Sequence, residues 1–257
     1  MQFIVSQQIC DDKIITETIN NGGWNPDPIF DFLKEFQNSE SQVQKIQQEK
    51  FKPKKSDVPL IYGPFNREEN KLFYPMLDKQ WLLNEYADKV VMLSNSITSS
   101  YGRSYMTFKE YIQQMEADSK LTQQQILEKE AKNTWYNFGG NDYPFVDKYY
   151  TSPLGKNDNV SPTFGLGRSG SGVPFHTHGQ VYLELFYGQK AWFFSPPGSN
   201  PKFDPNQSTF DWVIKNEHIQ EGVIMTIQKP GEIVYIPPEW WHATLNIGEV
   251  VFIANFA

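Results

Sequence analysis

From Pro162 onward, short apolar runs alternate with turn residues along the chain. Runs of four to eight residues bounded by Gly and Pro are typical of β-strands in a sandwich or barrel. Gly188 is predicted to turn the chain between two of these strands, and one helix is predicted at about residues 208–215. The eight predicted strands are residues 163–167, 173–178, 181–187, 190–194, 223–228, 232–236, 242–247 and 250–255. Eight antiparallel strands in two sheets would form a jelly roll.

Before residue 162, most apolar positions follow the period of a helix. Positions 29, 32, 33 and 36 are spaced i, i+3, i+4 and i+7, which predicts a helix that starts near Asp27. Thr107 and Glu110 have the spacing of a capping box, followed by an apolar helical face. We therefore predict helices flanking a mainly β domain.

The remaining segments before residue 162 predict a mixture of helices and strands. Residues 61–88 predict helices after a short strand, with Asn66 and Glu69 as a capping pair. Residues 121–130 predict another polar helix, and residues 90–93 and 134–138 predict strands.

A change of composition near residue 58 predicts a boundary between two parts of the chain. Residues 1–58 would form an N-terminal arm with polar helices, and residues 59–257 a domain whose jelly-roll core covers about residues 161–257. The glutamine-rich stretch 40–50 is interpreted as a solvated helix or linker, with a partner-binding helix as the alternative.

Composition and charge exclude several classes of function. The 257 residues are 39% apolar and carry a net charge of −7, so the chain is globular and lacks the basic surface that nucleic-acid binding requires. Cys10 is the single cysteine, so the chain has no internal disulfide. The N-terminus has only a short apolar run, and no stretch could span a membrane. These features predict a cytoplasmic protein.

Three of the four histidines form a candidate metal site. His176 and His178 are two residues apart, so on a strand both side chains would lie on one face. His242 follows a second strand near the end of the sequence. Neutral imidazole is the commonest metal ligand among side chains, and three converging rings predict a metal site.

The motifs around these histidines resemble the jumonji-C (JmjC) family of iron and 2-oxoglutarate oxygenases. The resemblance rests on GVPFH at residues 172–176, on GQK at 188–190, on GEIVYIPPEWWH at 231–242, and on Asn255-Phe256. With one branch of that family, jumonji-C domain-containing protein 8, the resemblance extends back to about residue 61 and includes the sequence His-x-His-Gly. It implies a cupin-like double-stranded β-helix with an N-terminal helical region.

The resemblance also implies a ligand set, from which this chain departs at one position. His176 and His242 match the two histidines that bind Fe(II), and His178 stands where the family has a carboxylate. Lys190 matches the lysine that pairs with 2-oxoglutarate, and Asn255 matches a polar residue near the pocket floor. Val173 replaces a hydroxyl that contacts 2-oxoglutarate in several relatives. Three imidazoles could hold zinc as well as iron.

Other polar residues are interpreted as lying outside the site. Glu184 could substitute for the missing carboxylate, but Val181, Leu183 and Leu185 form the more apolar face of that strand, so Glu184 is expected to face outward. His218 lies outside both motifs and is expected at the surface.

Two functions remain open at this stage. The first is an oxygenase of weak or lost activity, which would hydroxylate a protein or a small molecule. The second is a catalytically degenerate domain that serves as a structural or protein-binding module in a larger assembly. Because the sequence ends directly after its last strand, without the C-terminal helices by which several relatives dimerise, we expect a monomer or a component of a complex. The family branch implies the endoplasmic reticulum lumen as an alternative compartment.

Overall fold

The computed structural model describes residues 7–10, 13–16, 21–27, 30–37, 39–53, 55–98, 101–129, 133–155 and 159–257. Within these ranges the protein is mainly β and has the cupin-like jelly-roll architecture expected from the sequence. The strands are β1 Gln7–Cys10, β2 Lys13–Thr16, β3 Gln44–Ile46, β4 Leu60–Tyr62, β5 Val90–Asn95, β6 Arg103–Thr107, β7 Trp135–Phe138, β8 Ser161–Gly167, β9 Val181–Ser195, β10 Ile224–Gln228, β11 Ile233–Ile236 and β12 Trp241–Phe256. The α-helices are α1 Asp31–Gln37, α2 Lys79–Tyr86, α3 Phe108–Asp118, α4 Gln123–Glu128, α5 Pro144–Tyr149 and α6 Thr209–Ile214.

Two long antiparallel strands, β9 and β12, form the ribbon that organises the sheet. They pair from Trp241 opposite Ser195 to Phe256 opposite Val181, with register shifts near the middle. The ten-stranded sheet has the order β3-β4-β11-β9-β12-β8-β7-β5-β6, and β10 pairs with the C-terminal half of β9.

The prediction that Gly188 separates two strands is wrong, because β9 continues through that glycine. Gly188 and Gly248 have φ of +72° and +76°, and they lie at the irregular middle of the ribbon. A Cβ on Gly188 would lie 2.3 Å from the Glu249 carbonyl oxygen, so only glycine fits this close approach. The two glycines therefore mark a β-bulge within continuous strands. The predicted strands 242–247 and 250–255 are likewise one strand, β12.

The predicted strand at 173–178 is also wrong, since only an isolated bridge between His176 and His242 forms there. The Thr244 amide donates to the Val173 carbonyl oxygen, and the His242 amide donates to the His176 carbonyl oxygen. The two acceptors on this segment, Val173 and His176, are therefore three residues apart, whereas the two donors on β12, His242 and Thr244, are two residues apart. Pro174 lies in this stretch and has no amide hydrogen to add to a ladder.

Most local predictions between residues 90 and 162 were correct, but one predicted capping pair was not. Thr107 accepts from the Glu110 amide, and Glu110 accepts from the Thr107 amide, so the predicted capping box begins α3. The predicted strands 90–93 and 134–138 correspond to β5 and β7, and the polar helix to α4. The capping pair of Asn66 and Glu69 is not present, because Arg67 precedes a short 3-10 helix that has no side-chain cap.

The described residues before residue 59 contain less helix than predicted. The first helix, α1, begins at Asp31 rather than near Asp27, and positions 28–29 lie outside the described residues. In the glutamine-rich stretch, β3 pairs in parallel with β4, so the predicted polar helix is wrong there. Trp24 and Leu33 are buried in the same clusters as helices and strands of the domain, while the boundary near residue 58 stays a prediction.

The ribbon separates an inner face from an outer one. Inward-facing residues such as Leu183, Trp192 and Phe252 pack together and line the interior of the jelly roll. On the outer face, α1 and α6 cover the half of the ribbon that contains Phe193 and Leu245. Among the described residues, no helix is both long and apolar enough to cross a membrane.

Candidate metal centre

The three motif histidines converge at the open end of the interior. His176 and His242 are joined by reciprocal backbone hydrogen bonds of 3.1 and 3.0 Å. The segment that carries His178 is attached by the Glu239 amide, which donates to the His178 carbonyl oxygen over 3.1 Å. One nitrogen of each ring lies within 4.8 Å of the others, so the group could hold a metal ion.

Backbone carbonyl groups fix the tautomer of each ring. The Nδ1 atoms of His176, His178 and His242 lie 2.9, 2.6 and 2.8 Å from carbonyl oxygens of the backbone. A carbonyl oxygen only accepts hydrogen bonds, so each Nδ1 carries the proton. Each neutral ring therefore directs an unprotonated Nε2 away from the backbone. This is the arrangement by which metal-binding histidines are oriented in proteins.

The Nε2 atoms of His178 and His242 are only 3.0 Å apart. In these tautomers both carry lone pairs, so the contact is repulsive unless a cation lies between them. A proton is disfavoured, because burial lowers the pKa of His176 to about 4 and that of His242 well below its usual value. Two nitrogens bound at 2.0–2.1 Å to one ion would lie about 3 Å apart, so a metal ion fits the donor set.

Lys190 lies in the same interior cavity as the histidines. The cavity has a volume of about 70 Å³ and is lined mainly by apolar side chains. Lys190 is 3% exposed, and its Nζ lies 4.4 Å from the centre of the Phe252 ring. Burial lowers the pKa of Lys190 to about 7, and none of the described acidic residues lines the cavity. A buried cation without an acidic partner favours an anionic ligand.

Asn246 is a cavity residue that the sequence analysis missed. It is paired across the ribbon with Lys190, and its Oδ1 accepts from Lys190 Nζ over 2.6 Å. Its Nδ2 donates to Ser171 Oγ, which in turn donates to the Arg168 carbonyl oxygen. The signal was present in the sequence, because Asn246 follows His242 by four residues and a strand repeats every two residues.

Asn255 lies on the opposite face of β12 and does not line the cavity, contrary to the expectation from the resemblance. Its Nδ2 donates to the Tyr150 hydroxyl and to the Tyr182 carbonyl oxygen. Ala254 and Phe256, its neighbours on β12, line the cavity, so Asn255, which alternates with them, faces the other side. The structure therefore brings Lys190 and the histidines together and leaves Asn255 outside.

Glu184 faces away from the histidines, as expected, but it is buried rather than exposed. Its Oε2 accepts from Arg67 Nη1 and from the Tyr150 hydroxyl, both over 2.8 Å. These contacts hold the carboxylate on the outer face of β9. Glu184 therefore does not replace the carboxylate that the family motif would have at His178.

Two further positions complete the description of the site. Val173 lines the cavity, and its amide donates to the Thr244 hydroxyl over 3.1 Å. The prediction that His218 lies at the surface is wrong in part, because its ring is half-buried against Phe36 and Phe193 on the outer side of the ribbon.

The sequence is similar to known proteins over most of its length. Residues 163–255 match the family described as JmjC domain, hydroxylase. The chain is 34% identical to JmjC domain-containing protein 8 of Mus musculus over 199 residues, which cover 73% of this chain and 71% of the mouse protein. It is 34% identical to the Homo sapiens protein of the same name over 196 residues, with 73% and 72% covered. It is 25% identical to arginine-specific demethylase JMJ22 of Arabidopsis thaliana over 142 residues, with 44% and 28% covered.

Proposed function

Because the chain belongs to the JmjC domain family, we propose that it is an oxygenase-like protein that binds a divalent metal and a dicarboxylate and has weak or no turnover. His176, His178 and His242 would hold a metal such as Fe(II), and Lys190 would bind 2-oxoglutarate. The observation that carries the proposal is the cavity itself. It contains three converging imidazoles and a buried ammonium group, and no acidic residue among those described lines it.

The metal would be held by the three Nε2 atoms. A bound Fe(II) would supply the chemistry of O₂ activation, and the protein would supply its orientation. The backbone carbonyl groups that accept from Nδ1 keep each Nε2 unprotonated, so the site needs no proton loss before it binds an ion. The side chains that surround the site in the cavity are mainly apolar.

The dicarboxylate would bind at Lys190 and Asn246. The ammonium group would pair with one carboxylate, and the Asn246 side chain orients that ammonium through its Oδ1. An anion of this kind would also balance a charge that the protein leaves uncompensated. Its binding should raise the pKa of Lys190 from about 7, because a negative partner favours the charged form.

Two residues argue for weak turnover. His178 gives the metal a neutral ligand where the family supplies a carboxylate, so the metal keeps a higher positive charge. Val173 has no hydroxyl group to contact the cosubstrate. The Arabidopsis relative is an arginine-specific demethylase by name, and we propose a protein as the substrate or partner here.

A second candidate function is that of a protein-binding module without catalysis. The contact between Lys190 and Asn246 favours it, because the amide already occupies one donor of the ammonium group. The same departures at His178 and Val173 also favour it. In this alternative the histidines would be structural, and no dicarboxylate would bind. A cytoplasmic location stays a prediction, with the endoplasmic reticulum lumen as its alternative.

The test is metal analysis followed by thermal unfolding with and without 2-oxoglutarate. We expect one bound metal ion for each chain, and a rise in melting temperature with 2-oxoglutarate that Lys190→Ala abolishes. Saturation at 100 times the Kd would stabilise the protein by about 2.7 kcal/mol. Lys202→Ala is the matched control, because Lys202 is exposed.

The possible outcomes separate the two functions. Absence of metal and of any 2-oxoglutarate effect would favour the module. Equal protection of wild type and Lys190→Ala would assign Lys190 to structure. Brisk oxidation of any substrate that depends on 2-oxoglutarate would contradict weak turnover.

A further inference from the structure

The metal site has an unusual donor set, which consists of three neutral nitrogens and no acid. We infer that His178 makes this site select a zinc-like ion over Fe(II), with a small anion completing the coordination. This inference rests on the proposed metal site and specifies which ion the site takes. The reasons are the donor atoms, the location of the nearest alternative carboxylate and the charge of the cavity.

All three donors are imidazole nitrogens in a fixed tautomer. Their Nδ1 protons point to backbone carbonyl oxygens 2.6–2.9 Å away, so none of the rings can turn without breaking a hydrogen bond. Imidazole suits zinc, copper, nickel and iron, whereas carboxylate and water suit harder ions such as magnesium and manganese. Replacing the family's carboxylate by a third imidazole therefore moves the preference of the site from Fe(II) towards zinc. A site with three imidazoles and one open position is an established arrangement for zinc in proteins.

No described carboxylate is positioned to join this donor set. The residues that line the cavity include no aspartate or glutamate within the described ranges. Glu184 lies on β9, but its Oε2 is bound by Arg67 and Tyr150 on the outer face of the ribbon. To reach the histidines, it would have to cross the strand and give up its contacts with Arg67 and Tyr150. The donor set therefore stays neutral.

The charge of the cavity makes an anion the natural additional ligand. A divalent ion on three neutral imidazoles keeps its full charge, and Lys190 adds a second cation to the same cavity whenever its amine is protonated. Burial of uncompensated charge is costly, so ligands that enter should be negative. Hydroxide or a carboxylate at the open metal position would satisfy this requirement. Zinc accepts such a ligand without any change of oxidation state.

The experiment compares two ions in two proteins. Metal-free protein is titrated calorimetrically with Zn²⁺ and, in the absence of oxygen, with Fe(II). Sites of nitrogen and oxygen donors generally bind Zn²⁺ more tightly than Fe(II), so the informative quantity is the change in their affinity ratio. In His178→Asp we expect the ratio of zinc to Fe(II) affinity to fall by about tenfold or more.

Two controls separate this effect from loss of structure. His218→Ala removes a histidine outside the site and should leave the ratio unchanged, while circular dichroism checks that His178→Asp is folded. In the wild type, Co²⁺ with three imidazoles and one anion should give the strong visible absorption of four-coordinate cobalt. Should His178→Asp fail to fold, the wild-type spectrum decides the question.

Each result bears on a different statement. An unchanged affinity ratio in folded His178→Asp, or the weak spectrum of six-coordinate cobalt in the wild type, overturns the zinc selectivity and leaves the metal site in place. Failure of the wild type to bind either ion overturns the proposed metal site as well. A lower ratio in the variant together with four-coordinate cobalt in the wild type supports the inference.

Discussion

The two faces of the β9–β12 ribbon each bury a polar cluster, and the clusters differ in the balance of their charges. On the outer face, Arg67 pairs with Glu184, and Tyr150 donates to the same carboxylate oxygen. On the inner face, Lys190 meets an amide oxygen, and three imidazoles direct lone pairs at one another. Both clusters are buried in the same sheet, so burial alone does not explain the difference.

The outer cluster has the features of a structural network. Burial raises the pKa of Glu184, while the charge of Arg67 and the hydrogen bond from Tyr150 oppose that rise. Arg67 also donates to the Thr151 carbonyl oxygen and to Glu69. Such a network needs no further ligand, because each charged group already has a partner of opposite charge.

The inner cluster lacks this balance among the described residues. Its cation has no acidic partner, and its imidazoles repel one another until a cation lies between them. The comparison teaches that charge balance separates a network that stabilises the fold from a cluster that is complete only when it binds. Three experiments would break or sharpen this distinction.

The largest effect is expected from Arg67→Met on the outer face. Loss of the guanidinium leaves Glu184 buried without a cation, and breaking a buried pair in this way costs about 3–5 kcal/mol in free energy of unfolding. Burial raises the pKa of Glu184 above that of the unfolded chain, so protonation at low pH relieves the penalty. The loss measured by urea unfolding should therefore be larger at pH 7 than at pH 5.

Arg103→Met is the matched control, because Arg103 lies exposed on β6. Metal affinity should be unchanged in both variants, since the outer network does not touch the histidines. A loss below about 1 kcal/mol in Arg67→Met would show that the pair behaves like an exposed one.

For Lys190→Met on the inner face, we expect the free energy of unfolding to increase rather than decrease. In the ligand-free protein this change removes an unpaired buried charge and leaves one amide oxygen without a donor. The net gain should be about 1–2 kcal/mol at pH 6, where Lys190 is charged in both states. The folded-state pKa of about 7 lies below the ordinary lysine pKa of 10.5. The unfolded chain therefore binds more protons between these values, and wild-type stability rises with pH.

Urea unfolding of wild type and Lys190→Met at pH 6 and pH 9 tests this prediction. The difference between the two proteins should shrink at the higher pH. A variant that is less stable than the wild type at pH 6 would mean that the ammonium group has a compensating partner.

The smallest expected effects on stability come from replacing the two asparagines of β12, which should differ in their effect on 2-oxoglutarate binding. Asn255→Ala should cost about 1 kcal/mol, because it removes buried hydrogen bonds to Tyr150 and Tyr182, and it should leave protection by 2-oxoglutarate unchanged. Asn246→Ala should reduce that protection, because Asn246 orients Lys190. Thermal shifts with and without 2-oxoglutarate measure both. Loss of protection in folded Asn255→Ala would restore the role that the family resemblance implied.

Sequence patterns located most strands of the jelly roll but not how they join, and the strand predicted at residues 173–178 does not form. Glycine between two apolar runs indicates a turn, because both a hairpin turn and a bulge use its positive φ. Gly188 and Gly248 lie instead inside long strands, where a Cβ would meet the carbonyl oxygens of Glu249 and Pro26. Whether such a glycine forms a hairpin turn or a bulge depends on strand pairing across a separation of about 60 residues. The local sequence does not determine that pairing. The capping box at Thr107 was predictable because all of its contacts lie within four residues.

Within the candidate site, the family motifs located the histidines and Lys190, and strand periodicity explains the rest. Asn246 follows His242 by four residues before the bulge and shares its face. Asn255 lies after the bulge and alternates with Ala254 and Phe256, which line the cavity. The burial of Glu184 could not be predicted, because its partner Arg67 lies 117 residues away. Such a pairing is set by tertiary packing, which periodicity does not encode.

The pairing of β9 with β12 also has a consequence for how the protein folds. His176 and His178 precede the ribbon, whereas His242 begins its second strand, so the three rings meet only after a chain segment of about 60 residues has closed. Closure of long loops slows folding, because their entropy is lost before contacts are gained. A metal ion that needs all three rings would therefore bind after this step and hold the closed ribbon together. Strand pairing and metal binding would then both occur late in the folding of this chain, and each would stabilise the other.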